Sequence, residues 1–191
     1  MNKKSVITQI LTEAADLKTK LCRDSHFIES IEKIADALIT VKNNGGTIYM
    51  CGNGGSAADA MHFTEELVAR YKRERPGIKA MHFIDGATLT CWGNDYGYPT
   101  AFARQAETFC TRNDVLIGLS TSGNSENIML AFDAAKERGC KTIGILGKDG
   151  GRIKNNSDYA VVVPHQATER IQEAHIMIVH VLCEILETYE L

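Results

Sequence analysis

One stretch constrains this chain more than any other: Thr47 to Tyr71, TIYMCGNGGSAADAMHFTEELVARY. Thr47 to Cys51 is short and apolar, which predicts a buried strand. Gly52-Asn53-Gly54-Gly55 breaks any regular pattern and admits positive φ. Ser56 stands where a helix N-cap is expected, and Ala57 to Tyr71 reads as a helix. A strand, a glycine turn and a helix N-terminus together present outward N–H groups and a favourable dipole to an anion. The spacing is not that of a dinucleotide fingerprint, and the turn lacks the lysine of a nucleotide P-loop. Taken alone, the glycines are equally an ordinary turn.

The same helix carries His62 and Glu66, four residues apart and therefore on one face. Asp59 lies one turn before His62, and Arg70 one turn after Glu66. These positions suit a solvated helix face as well as a site, so the rest of the chain has to decide.

Strands are expected at Lys79–Ile84, Val115–Leu119, Thr142–Leu146 and Tyr159–Val163, in addition to the first. Helices are expected at Ser5–Leu21, Phe27–Val41, Pro99–Cys110, Glu126–Arg138 and Thr168–Tyr189. Residues 72–77 read as a solvated basic loop and 85–97 as irregular. Strands alternating with helices imply an α/β fold, a five-stranded parallel sheet with helices on both faces. Ligands in such sheets bind beyond the carboxyl ends of the strands. At 191 residues the chain reads as one domain, residues 1–191. The first helix has little sheet to cover. Its stripe of Ile7, Ile10, Leu11, Ala14, Leu17 and Leu21 is expected to pack on another subunit.

A net charge of -3 gives no electrostatic case for nucleic acid. No apolar run approaches the length of a membrane span, and the N-terminal segment lacks an apolar signal core, so the cytoplasm is the expected compartment. The six cysteines are scattered without a CxxC pair, which argues against a thiolate zinc site and a compact disulfide framework.

A second turn after a strand, Ser120-Thr121-Ser122-Gly123-Asn124-Ser125, offers four hydroxyls and backbone donors. That composition suits a phosphate monoester, and an ordinary helix-capping turn as well. The last predicted helix carries Gln172, His175 and His180. Gln172 and His180 fall broadly on one side, whereas His175 points away from His180. If His180 meets His62 and Glu66, the three can bind a divalent metal of the zinc type or move protons. Gln172 could then add a neutral oxygen ligand.

These blocks, CGNGGSAADAMHFTEEL, GNDYG, LSTSGNSENI, LGKDGG and RIQEAHIMIVH, occur in one order over nearly the full length. By them the chain resembles the sugar isomerase (SIS) domain family, and within it the phosphoheptose isomerases. The resemblance implies a SIS-type α/β/α sandwich assembled as a homotetramer. It implies conversion of sedoheptulose 7-phosphate to D-glycero-D-manno-heptose 7-phosphate through a cis-enediolate, in the bacterial heptose route to lipopolysaccharide or capsule.

Carried over by position, Ser56, Ser120, Thr121, Ser122 and Ser125 hold the phosphate beside Gly54 and Gly55. Asn53, Arg70, Asn94, Asp95 and Gln172 contact the sugar. Glu66 and His180 transfer protons, and Glu66 also touches substrate. His62, Glu66, Gln172 and His180 match a zinc site with one ion per subunit. Zinc ligation and base catalysis make competing demands on Glu66. The alternative is a non-catalytic SIS protein that binds the bacterial replication initiator, a branch expected to lack the Glu66–His180 pair.

Overall fold

The computed structural model describes residues 2–189. Two helices come first, α1 (Lys3–Leu21) and α2 (Ser25–Asn43). Then strand and helix alternate: β1 (Ile48–Gly52), α3 (Gly55–Val68), β2 (Ala80–His82), α4 (Gly86–Asp95), a 3-10 turn (Tyr98–Thr100) and α5 (Ala101–Phe109). The remainder is β3 (Val115–Ser120), α6 (Glu126–Glu137), β4 (Lys141–Gly147), α7 (Gly151–Asn155), β5 (Tyr159–Val163) and α8 (Thr168–Thr188). The strands form one fully parallel sheet in the order β2-β1-β3-β4-β5. The order reverses between β1 and β3, so the turns after those two strands open into the crevice where doubly wound sheets hold ligands.

The sheet is buried on both faces, as parallel sheets are. Alternation along β1 shows why: Ile48 and Met50 join a core with α2, α3 and α8, while Tyr49 and Cys51 join a second core with α5 and α6. α2, α3, α5, α6 and α8 each supply a buried apolar stripe. α1 is different, for only Leu17 and Leu21 of it are buried. Val6, Ile7, Ile10 and Leu11 stay exposed, Leu11 at 65%. Arg170 of α8, itself buried, donates from Nη1 to the Ile10 carbonyl at 2.8 Å and ties the mid-point of α1 to the body. An apolar groove of about 640 Å³ runs between α1, α2 and α8, lined by Leu21, Phe27, Ile28, Ile31, Met177 and Val181 among others.

Several local expectations are corrected. Residues 86–95 are a helix, capped by Asp85, whose carboxylate accepts from the Thr88 N–H at 2.7 Å. Gly54, at φ 56°, is the N-cap of α3 in place of Ser56, which lies buried inside the first turn. That helix ends at Val68, leaving Arg70 and Tyr71 outside it. The short α7 follows β4 where no helical element is expected. The loop 72–77 is only partly solvated, because the Arg75 side chain is 4% exposed.

Candidate active site

Two helix N-termini face the crevice, and no side chain caps either. The N-cap of α3 is Gly54 and that of α6 is Ser125, whose hydroxyl is turned to Ser120 Oγ at 3.0 Å. In α6 the N–H groups of the first turn stay open to an anion, whereas in α3 the Ser56 and Ala57 N–H groups donate to the Asn53 and Gly54 carbonyls at 3.0 Å, leaving that of Gly55. Ser120 Oγ also lies 3.5 Å from Ser122 Oγ and accepts from the Gly123 N–H at 3.1 Å. Ser122 Oγ accepts from the Asn124 N–H at 3.1 Å. The hydroxyls of Ser120, Ser122 and Ser125 are thus gathered in one turn.

The turn is braced from the start of α7. Gly123 has φ 65°, and a Cβ there would run into the Gly150 carbonyl. The Ile153 N–H donates to the Gly123 carbonyl at 2.9 Å, and the Arg152 N–H to Asn124 Oδ1 at 3.1 Å. The LGKDGG block therefore serves the hydroxyl turn as a support.

The glycine turn is braced from α6. Asn53 and the buried Asn127 exchange amide bonds of 3.0 and 2.9 Å, and the Tyr98 hydroxyl donates to Asn53 Oδ1 at 2.6 Å. Neither Asn127 nor Tyr98 is among the site residues expected from the sequence. Nothing marked Tyr98, and Asn127 was signalled only by its place in the turn that opens α6.

Further along α3, His62 Nε2 lies 3.1 Å from Glu66 Oε1. His180 of α8 brings its Nε2 to 3.3 Å from His62 Nε2. The three ligand atoms fall within 4.8 Å of one another. Two imidazole nitrogens and a carboxylate oxygen at this spacing fit a zinc-type ion, and the group could hold a metal. The Glu66 side chain is 15% exposed against 43% for His62, so the carboxylate sits deeper than its neighbour. A cavity of about 430 Å³ borders His180, with Tyr71, Ile176 and Glu184 among its walls. The larger apolar groove belongs to α1 and α2 and lies apart from these polar groups.

Gln172 packs its carboxamide against Gly55, at the opposite end of α3 from Glu66. Asn94 and Asp95 are exposed at the end of α4 and bond each other at 2.8 Å. Arg70 is exposed beyond α3. Among the described residues, none of these last three bonds to either turn or to the His/Glu/His group.

Asp59 is half-buried on α3, its Oδ2 enclosed without a hydrogen-bond donor. Burial raises its pKa to about 6, against the opposing pull of His62. His175 is fully buried and takes no part in the His/Glu/His group.

Residues 12–147 match the SIS domain family. A phosphoheptose isomerase of Clostridium acetobutylicum is 46% identical over 185 residues, covering 96% of this chain and 94% of that protein. One from Nitratiruptor is 55% identical over 150 residues, covering 78% of this chain and 80% of the other. Among solved structures, a phosphoheptose isomerase from Neisseria gonorrhoeae superposes with a TM-score of 0.92 at 34% identity, covering 98% of this chain and 100% of that one. Another, from Francisella tularensis, gives 0.94 at 33% identity over 99% and 100%.

Proposed function

We propose that this chain, which belongs to the SIS domain family and within it to the phosphoheptose isomerases, converts sedoheptulose 7-phosphate to D-glycero-D-manno-heptose 7-phosphate in heptose biosynthesis. The observation that carries the reading is the meeting of His62, Glu66 and His180 on the pair of helices that also reaches the anion-ready turn. A ketose becomes an aldose when a proton moves between C1 and C2 through a cis-enediolate. One group must take a carbon-bound proton while another protonates the neighbouring oxygen. Glu66 is the base in our reading and His180 the acid, with the roles exchanged in the reverse direction. The initiator-binding alternative is not favoured, since this chain keeps both groups.

The phosphate is assigned to Ser56, Ser120, Thr121, Ser122 and Ser125 with the N-termini of α3 and α6. α3 starts at this cradle and carries Glu66 three turns further on. That separation suits an open-chain sugar phosphate whose reacting carbons and phosphate lie at opposite ends. Asn53, Arg70, Asn94, Asp95 and Gln172 are proposed to contact the sugar. Zinc is the proposed ion, held by His62, Glu66 and His180; Gln172, matched to a further ligand by position, rests its carboxamide against Gly55 instead. Such an ion supplies Lewis acidity toward oxygens that gain negative charge.

The direct test is incubation with sedoheptulose 7-phosphate in deuterated water, with and without a chelator. We expect the aldose product and solvent deuterium at the exchanging carbon. A zinc-supplied protein that exchanges neither the C1 nor the C2 hydrogen is not this isomerase. The phosphate assignment has its own check. Replacing Ser120 and Ser122 together by Ala removes hydrogen bonds to a charged group worth about 1.5–3 kcal/mol each. KM should rise steeply in the folded double variant, and an unchanged KM would dismiss the assignment.

We take residues 1–191 as one SIS domain that assembles with copies of itself, as a tetramer. The exposed apolar face of α1 and the groove beside it favour burial against another subunit. Light scattering at micromolar concentration should report an oligomer, and a stable active monomer would refute it. No helix among the described residues is long and apolar enough to cross a membrane.

A further inference from the structure

The ligand atoms of the proposed metal site come from two helices, so the spacing of α3 and α8 decides whether the site exists. The two helices run past each other and meet a buried ion pair at their C-terminal ends. Arg75 Nε lies 3.1 Å from Glu187 Oε1, the two side chains being 4% and 3% exposed.

Arg75 belongs to the loop after α3. Its Nη2 donates to the Glu66 carbonyl at 2.7 Å and its Nη1 to the Leu67 carbonyl at 2.8 Å. These are last-turn carbonyls that lack partners within the helix. The last turn of α3 has no basic residue of its own, so Arg75 folds back to supply the positive charge favoured there.

Glu187 belongs to α8, two turns beyond His180. Its carboxylate accepts from the backbone N–H groups of Tyr71, Lys72 and Arg73, each bond between 3.1 and 3.2 Å. Burial alone would raise its pKa, but these donors and Arg75 outweigh burial and hold it below the usual range. With the loop segment 71–73 fixed in this way, the Tyr71 ring stacks on the His180 imidazole, centroids 5.8 Å apart and planes inclined by 24°.

We propose that Arg75 and Glu187 are positioning residues for the metal site: their ion pair sets the distance between the two ligand-bearing helices and seats Tyr71 against His180. This rests on the metal reading given above. Groups that orient a metal ligand from outside the coordination sphere affect affinity by about 10–100-fold when removed.

The test uses the full-length protein, stripped of metal and titrated with zinc against a chromophoric chelator, with circular dichroism as a check on folding. Tyr71→Ala should weaken zinc binding by about 10–100-fold. Tyr71→Phe, which keeps the ring, should restore it. Glu187→Gln should weaken zinc binding to a similar extent and lower kcat, with KM for the sugar phosphate little changed. A residue that merely supported the fold would lower thermal stability in all three variants without separating Ala from Phe in zinc affinity. If Glu187→Gln fails to fold, the Tyr71 pair decides alone. Folded variants that bind zinc as tightly as wild type overturn the clamp and leave the metal reading standing. A wild-type protein that binds no zinc overturns both.

Discussion

Glu66→Gln is expected to lower kcat by about 10²–10⁴-fold, the usual contribution of a positioned general base. The substitution keeps size and one hydrogen-bond acceptor, so contact with His62, 3.1 Å away in the wild type, can persist while the capacity to take a proton is lost. The proposed phosphate site lies at the turn between β3 and α6 and at the opposite end of α3 from Glu66, so KM should change far less than kcat. The carboxylate is also a proposed zinc ligand, and an amide binds zinc less well. Bound zinc must therefore be measured in the same samples. A variant that has lost its zinc and regains full turnover when zinc is added back would make Glu66 a ligand and not the base. A zinc-replete variant with wild-type kcat would end the assignment to proton transfer. His180→Gln provides the companion case, and the pair should be far from additive if both act in one step.

Much of this architecture is legible in the chain because its strands are buried on both sides and bounded by glycine or polar turns. Tyr159–Val163 falls where the pattern places it, and the expected parallel sheet with two helical layers is found. The misread segments have physical causes in common. α4 buries none of its residues, so it has no apolar stripe to betray it, and its glycines suggest a loop. Its signal was the Asp85 cap, a local bond invisible to periodicity. α7 is five residues long and is held by contacts with Gly123 and Asn124, far away in sequence.

The site divides in the same way. His62 and Glu66 are a same-helix pair that spacing alone reveals, whereas their meeting with His180 depends on how α3 packs on α8. The bracing groups left no trace. Arg75 reads as one basic residue among several in a polar loop, and only the fold pairs it with Glu187, more than a hundred residues later. A buried ion pair is a property of packing, and composition does not separate its members from solvated charges.

His175 shows what the fold does with a histidine that points away from the site. It is fully buried on α8, and neither ring nitrogen meets hydrogen-bond geometry. Burial pushes its pKa down to about 4, although the Leu146 backbone lies close enough to favour the proton. In the unfolded chain the value is about 6.5. Between these two values the unfolded chain holds more protons than the folded one, so stability rises with pH across the window. The contribution is fully present above about pH 6.5 and is lost as pH falls toward 4. The shift corresponds to about 3 kcal/mol in total, of which about 2 kcal/mol is lost by pH 5. Urea unfolding of wild type and His175→Leu, at pH 7.5 and pH 5, measures it. Metal should be removed first, because metal binding to the protein is itself pH-dependent, and subunit concentration should be held fixed. Whatever Leu does to packing acts at both pH values and cancels in the comparison. The variant should lose about 2 kcal/mol less than wild type on acidification. An equal loss in both proteins would mean that His175 accepts a proton without disturbing the fold, and that its cavity is open to water.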